Sequence, residues 1–246
     1  MDRAPTRYIA DILTGAALLT RLPLPEHTSR GAASAWAWPV VGLILGAIAG
    51  LTGWLALWLG LPPSIAALLV LTAQVFAAGG LHEDGLADTA DGLWGGWTRE
   101  RRLEIMRDSR IGSYGVVALI LGFAARWSAL SLLLEGGAYG AALIAAAAMS
   151  RGVLPGVMAL VTPARADGLS RSTGRPSVAT AGVAAALALL IGVITLGGGV
   201  IWAALLALAV TIGLARIAVA RIGGQTGDIL GATQQVVEIA VLTSLL

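Results

Sequence analysis

Seven long apolar runs, separated by short polar or glycine-rich breaks, divide the chain at about residues 36–60, 64–81, 112–134, 138–161, 178–196, 199–219 and 229–246. A spanning helix needs roughly 20 apolar residues, whereas transmembrane strands would be about 10 residues long with alternating polarity. The runs are longer than that and do not alternate. They predict an all-α fold, a polytopic helical integral membrane protein with about seven transmembrane helices. Small residues within the runs, as at Ala145–Ala148 and Gly182, predict closely packed helices. Ahead of the first run, Tyr8–Thr20 is apolar but short, and Asp11 interrupts it. The charge, and the lack of an Ala-x-Ala site after it, argue against a cleaved signal peptide. The stretch reads as a retained N-terminal half-helix at the interface, stopped by Arg21-Leu22-Pro23-Leu24-Pro25, and the pattern leaves open whether it dips into the bilayer. No repeat, linker or second soluble domain is visible, so residues 1–246 form one transmembrane domain.

Composition agrees with the pattern. The chain is 57% hydrophobic and 12% charged, with a mean hydropathy of +0.83, against about 25% charge in a soluble domain. There is no cysteine and no lysine. Their absence excludes disulfide frameworks, thiolate zinc sites, cysteine nucleophiles, Schiff-base chemistry and the P-loop lysine. The net charge of +2 is small and the arginines form no single patch, so nucleic acid is not an expected partner. They do sort by side. Arg3, Arg7, Arg21, Arg30, Arg99, Arg101, Arg102, Arg107, Arg110, Arg165, Arg171, Arg175, Arg216 and Arg221 fall at one set of loop ends, 14 of the 16 arginines. The opposite loops, near Leu61-Pro62-Pro63, Glu135-Gly136-Gly137 and Gly197-Gly198, hold none. The positive-inside rule makes the arginine side cytoplasmic, with the N-terminus inside and the C-terminus outside. Trp54, Trp58 and Trp202 then fall near the outer boundary and Trp36 and Trp38 near the inner one, as interfacial anchors.

The charges concentrate in one place. Residues 82–111 carry 12 of the 30 acidic and basic side chains. Within them Asp84, Asp88 and Asp91 are spaced i, i+4, i+7, which puts three carboxylates on one helical face. Like charges so placed repel unless a cation sits among them, and an all-oxygen set favours magnesium, manganese or calcium. The alternative is a solvated face neutralised by nearby arginines. A second polar cluster, Gly223-Gly224-Gln225-Thr226-Gly227-Asp228, suits a backbone that approaches a ligand closely. Asp228 there is either a fourth ligand or the N-cap of the last helix. His82 lies about 160° from Asp84 on a continuous helix, so it serves as a general base only if the chain breaks at Gly79-Gly80 or Gly85. Glu238, Arg126 and Arg151 lie inside spans, where ionisable groups are costly, and they suggest either a structural bridge or a substrate contact. The loop Asp167–Arg175 mixes small residues with arginines, whose forks suit phosphate oxygens.

Three segments carry a resemblance. GGLHEDGLADTADG, LEIMRDSRIGSYG and GGQTGDILGA occur in that order, with TRLPLP, PVVGLILGAIAG and the Ser150-Arg151 pair besides. Together they closely resemble the cobalamin synthase family of adenosylcobinamide-GDP ribazoletransferases over nearly the whole chain. One position departs: Glu83 stands where the family usually has Leu, a fourth acid that either alters metal binding or faces the cytoplasm. The resemblance implies a multi-pass protein of a bacterial-type cytoplasmic (inner) membrane with its site facing the cytoplasm. It implies transfer of α-ribazole, or its 5′-phosphate, onto adenosylcobinamide-GDP with release of GMP, using Mg2+. The candidate sets are then Asp84, Asp228 and His82 for catalysis, and Asp84, Asp88, Asp91 and Asp228 for metal. Arg107, Arg110, Arg151, Arg171 and Gln225 are the candidates for substrate binding. Partners are the two small-molecule substrates and membrane lipid, with an oligomer left open.

Three rivals are weighed. Prenyltransferases would show two Asp-rich motifs of similar weight, and here the second has Asp228 alone. CDP-alcohol phosphotransferases would show Asp-Gly-x-x-Ala-Arg, whereas Asp84-Gly85 is followed by Leu86-Ala87-Asp88. A transporter would use Glu238, Arg126 and Arg151 along an ion path.

Overall fold

The computed structural model describes residues 4–246, so Arg3 lies outside the described residues. Among these the chain is helical, and its one β-type contact is an isolated bridge between Pro163 and Gln225. The order is α1 (Ala4–Leu19), a 3-10 segment (Gly31–Ala37), α2 (Trp38–Trp58), α3 (Pro63–Ala78) and α4 (Leu81–Gly95). Then come α5 (Arg99–Ile105), α6 (Ser113–Glu135), α7 (Tyr139–Gly152), α8 (Leu154–Leu160) and α9 (Leu169–Thr173). The chain ends with α10 (Val178–Leu196), α11 (Val200–Ile222) and α12 (Gly227–Thr243).

Four stretches are long and apolar enough to cross a membrane: Gly31–Trp58, Ser113–Glu135, Tyr139–Leu160 and Val178–Ile222. The last, 45 residues long, makes two passes. Gly197 turns the chain with φ 55°, ψ −128°, and both outer ends return to one short segment. Arg175, just before α10, donates from Nε to the Ala159 carbonyl at 3.0 Å, and Gln225, just after α11, donates from its amide to Thr162 at 2.9 Å. At about 1.5 Å per residue, α10 and α11 are each long enough for the hydrocarbon core. Leu245 packs beside Gly199 at the far end, so the C-terminus lies at the opposite end of the bundle from these loops.

The seven apolar runs are all helical, but two fall short of full crossings. Helix α12 has 17 residues and α3 has 16. The run expected at 64–81 stops at Ala78 because Gly79 and Gly80 both adopt left-handed backbone (φ 67° and 69°). Helix α4 then leaves at 89° to α3. Its polar sequence and this right-angled turn put α4 outside the spanning stretches.

Small residues bring the central helices together as expected, though not at Gly182, which meets nothing. The tight contacts are Gly42 and Gly46 of α2 against the α7 backbone at Ala147 and Ile144, and Gly152 of α7 against Ala188 of α10. Ala145–Ala148 are fully buried between them. Helix α1 is ordered against Trp38, and its Asp11 is buried and paired with Arg30 at 2.7 Å and with the Trp36 indole at 2.8 Å. Trp38 is 3% exposed, which corrects its reading as an interfacial anchor. Trp54, Trp58 and Trp202 are all exposed, as anchors are.

Candidate active site

The site forms where α4 crosses α12. A Cβ on Gly85 would sit 2.9 Å from the Asp228 carbonyl oxygen and 3.0 Å from Gly231 Cα, so the helices meet backbone to backbone. Only glycine allows this approach, and it explains a glycine in each motif. The crossing carries Asp84 and Asp88 of α4 to the first turn of α12, where Asp228 stands.

The α4 carboxylates are not equivalent. Asp84 is exposed, Asp88 is half-buried and Asp91 is buried. Asp91 accepts hydrogen bonds from the Gly112 amide at 2.7 Å and the Gly115 amide at 2.9 Å. It thereby ties the Arg107–Gly115 loop to the start of α6. A Cβ at Gly112 or Gly115 would overlap its carboxylate, which accounts for both glycines in the loop. Asp88 is pushed up to about 7, first by burial and then by Asp84, Asp228 and Asp91, with Arg165 pulling it down. The acids from both motifs thus share one field.

Asp228 is not the N-cap of α12. That place belongs to Thr226, whose side chain accepts from the Ile229 amide. The Asp228 carboxylate instead meets Arg165 Nη2 at 3.2 Å and accepts from Thr226 Oγ1 at 3.1 Å. Arg165 was absent from the sequence-derived set. Its Nη1 is buried with no hydrogen-bond partner among the described residues, a donor aimed at no protein acceptor. Its position two residues before Asp167-Gly168 was the available signal.

Several expected substrate contacts are placed elsewhere. Arg151 is 4% exposed, donates to the Ala147 carbonyl and lies 3.6 Å from Glu238, deep in the bundle. Gln225 is also buried. Its backbone bridges Thr162 and Ala164, and its side chain accepts from Ser170 at 2.8 Å. The glycine-rich turn around it therefore approaches the protein's own 162–164 backbone: a Cβ on Gly224 would strike Thr162 and Ala164. Arg107 pairs with Asp167 on the surface. Arg110 grips Asp108 at 2.6 Å and holds that carboxyl down at about 2 through their hydrogen bonds. Both arginines are exposed, and such pairs exchange partners at little cost. Arg171 is exposed on α9.

His82 is 2% exposed while Asp84 is exposed, so the imidazole faces inward although the chain does break at Gly79-Gly80. The structure does not bring it to the carboxylate face. Glu83 turns inward too. Its Oε1 accepts from Arg126 Nη1 at 3.0 Å and Gln235 Nε2 at 3.2 Å, so it neither faces the cytoplasm nor joins the outer acids. Arg126 also donates to Gln235, Gln74 and Glu238 at 2.9–3.1 Å. Glu238 accepts from Gln74 and Gln234. This brace ties α3, α4, α6, α7 and α12 together beneath the site.

Among the described residues, no three carboxylates or histidines converge tightly enough to grip one ion as they stand. The donor chemistry nonetheless fits a hard divalent cation: every candidate ligand atom is oxygen, and Asp88 is destabilised as an anion by burial and then by three neighbouring acids.

The chain is 49% identical to an adenosylcobinamide-GDP ribazoletransferase of Bradyrhizobium diazoefficiens, over 95% of this chain and 92% of that one. It is 47% identical to the protein of the same name from Mesorhizobium japonicum, over 97% and 93%, and 40% identical to that of Rhizobium johnstonii, over 97% and 96%. No solved structure matches it. The family model described as Cobalamin-5-phosphate synthase matches residues 11–246, taking in both carboxylate motifs and the crossing that joins them, and the chain belongs to that family.

Proposed function

We propose that this chain joins adenosylcobinamide-GDP to α-ribazole, or to its 5′-phosphate, with a magnesium ion held on the carboxylate face at the cytoplasmic end of the bundle. The products are adenosylcobalamin, or its 5′-phosphate, and GMP. The observation that carries the reading is the meeting of Asp84 and Asp88 with Asp228 and Arg165 across the Gly85–Gly231 contact. The cytoplasmic orientation rests on the arginine-rich loops at that end.

In the reaction a ribazole hydroxyl oxygen forms a bond to the phosphorus bearing the aminopropanol arm. The bond from that phosphorus to the GMP oxygen breaks, and GMP leaves with the bonding electrons. Asp84, Asp88 and Asp228 would hold the ion, and Asp91 fixes the helix behind them. The ion, when bound, supplies neutralisation of charge on the pyrophosphate and on the departing phosphate. Arg165 offers its unpartnered Nη1 to a phosphate oxygen, and Arg107, Arg110 and Arg171 add exposed guanidinium groups around the mouth. Asp228 or Asp88 takes the hydroxyl proton.

A transporter reading drew on Glu238, Arg126 and Arg151, but among the described residues these side chains pair with one another. The deciding experiment is an assay of the purified protein with both substrates, following GMP by chromatography with and without magnesium. GMP should appear only when both substrates and magnesium are present. No GMP under those conditions overturns the reading.

A further inference from the structure

The two halves of the carboxylate site sit on different helices, so their alignment depends on how α4 is turned against α12. At the crossing point glycine meets glycine, Gly85 against Gly231, and neither brings a side chain to key one helix to the other. Helix α4 is tied to α6 through Asp91, on the Gly112 and Gly115 amides, and through Glu83, on Arg126. Those ties lie about 12 Å apart along its axis. To α12 it has a single side-chain hydrogen bond among the described residues, from Gln235 Nε2 to Glu83 Oε1 at 3.2 Å.

Gln235 is 3% exposed, and its amide nitrogen and carbonyl oxygen are both engaged. Besides the bond to Glu83, Nε2 donates to Gln234 at 2.9 Å and Oε1 accepts from Arg126 Nη1 at 2.9 Å. Arg126 Nη1 also donates to Glu83 at 3.0 Å, so Glu83, Gln235 and Arg126 close a triangle across α4, α12 and α6. On α12, Asp228, Gly231 and Gln235 fall within about 60° of arc, which puts Gln235 about two turns from Asp228 on the face that meets α4. On α4 the triangle holds the residue next to Asp84.

Small rotations matter at this distance. A carboxylate stands about 5–6 Å from its helix axis, so a turn of about 10° moves it by about 1 Å. Metal–oxygen distances tolerate only about 0.2 Å.

We propose that Gln235 is a positioning residue for the metal site: through the triangle with Glu83 and Arg126 it sets the rotation of α4 against α12 and brings Asp84 and Asp88 into register with Asp228. The inference rests on the proposed ion. Gln235 itself touches neither ion nor substrate.

The test compares Gln235→Met with Gln74→Met in the full chain in detergent, well below the melting midpoint of either. Gln74 also makes two hydrogen bonds in this cluster, accepting from Arg126 and donating to Glu238, each at 3.1 Å, but it does so from α3 and without bonding Glu83. A merely structural brace predicts that both variants melt earlier and bind the ion as the wild type does. Positioning predicts a split. Mn2+ affinity, read by electron paramagnetic resonance without substrates, should weaken about tenfold in Gln235→Met, the scale at which groups behind the ligands act. It should stay within about twofold of the wild type in Gln74→Met, which has no bond to α4. For Gln235→Met kcat should fall about 10²-fold, as for a misplacement of about 1 Å. The KM of each substrate should stay within about threefold, because no substrate contact is removed. If Gln235→Met does not fold, Gln235→Asn, whose amide stops one methylene short of Glu83, carries the same comparison. Unchanged Mn2+ affinity in the Gln235 variant, or equal losses in both variants, overturns the positioning role. If Gln235→Met alone loses Mn2+ affinity yet the wild type releases no GMP, the positioning role stands and the reaction reading falls. If the wild type releases GMP while Gln235→Met binds Mn2+ as Gln74→Met does, the reaction stands and the positioning role falls. If the wild type binds no Mn2+, the positioning role falls with the metal site.

Discussion

Glu83 and Asp84 are neighbours on α4 and meet opposite fates. Glu83 points into a cluster with Glu238, Arg126 and Arg151, in which two acids face two arginines and the glutamine amides of α3 and α12 add hydrogen bonds. Asp84 points the other way, to a face shared with Asp88, Asp91 and Asp228, where Arg165 is the one arginine in contact among the described residues. The inner cluster is charge-balanced and buried. The outer one is anionic and open. Burial alone does not tell a functional acid from a structural one; the balance of charge around it does. In the inner cluster every carboxylate has its counter-ion in the chain, while the outer one has more acids than arginines among the described residues, an imbalance that a bound cation would offset.

The largest expected effect is on the inner cluster. Arg126→Met strands Glu83 and Glu238 without their partner, and breaking a buried pair from one side costs about 3–5 kcal/mol. Thermal unfolding in detergent should show a large loss of stability, and a variant as stable as the wild type would remove the brace from the account.

Asp228→Asn comes next. Because Thr226 caps α12, the change should leave stability intact while turnover falls about 10²–10³-fold, the scale of losing one electrostatic group in an active site. Steady-state kinetics beside a melting curve separates the two. Near-normal turnover would return Asp228 to a structural role. Partial recovery at high magnesium would favour ligation over proton transfer.

Gly85→Ala probes the crossing between the clusters. The added methyl meets the rigid backbone of α12, and overpacking of this kind costs about 1–3 kcal/mol. Turnover should fall with stability here, unlike at Asp228, because the two halves of the outer site are pushed apart.

The smallest effect is on protons. Asp88 is raised to about 7 in the fold from about 4 in an unfolded chain. In the metal-free protein it therefore keeps a proton that the unfolded chain would release between those values. Its share of stability is present at low pH and is lost as pH rises toward 7. A bound cation reverses that preference. Magnesium binding at pH 6 should release close to one proton and at pH 8.5 almost none, measurable by calorimetry in buffers of different ionisation enthalpy. Proton release that does not change with pH would show that Asp88 is not coupled to the ion.

Much of this was legible in the sequence, for identifiable reasons. Apolar runs report helices directly, though not whether each crosses fully, and the i, i+4, i+7 spacing of Asp84, Asp88 and Asp91 places them on one helix without tertiary knowledge. The bend at Gly79-Gly80 was visible as a weak point, but its angle depends on what α4 packs against. The inward turn of Glu83 was not legible, because it depends on Arg126 and Gln235 arriving from distant segments. Arg165 escaped notice for the same reason: only the folded 162–164 segment, bridged to Gln225, carries it to Asp228. Arg151 and Gln225 were misplaced because a motif position says that a residue matters and not whether it touches the ligand or braces the fold. Of the two roles expected for Asp228, the cap falls instead to Thr226, two residues earlier.

The central claim is that the outer acids hold a divalent cation and the inner acids do not. The direct measurement is a Mn2+ titration of the purified protein followed by electron paramagnetic resonance, on the wild type, Asp88→Asn, Asp228→Asn and Glu83→Gln. The account predicts saturable binding in the wild type and in Glu83→Gln, and affinity at least about tenfold weaker in the two aspartate variants, as expected when a charged ligand is lost from a carboxylate site. Equal binding in all four proteins, or a loss confined to Glu83→Gln, would contradict it.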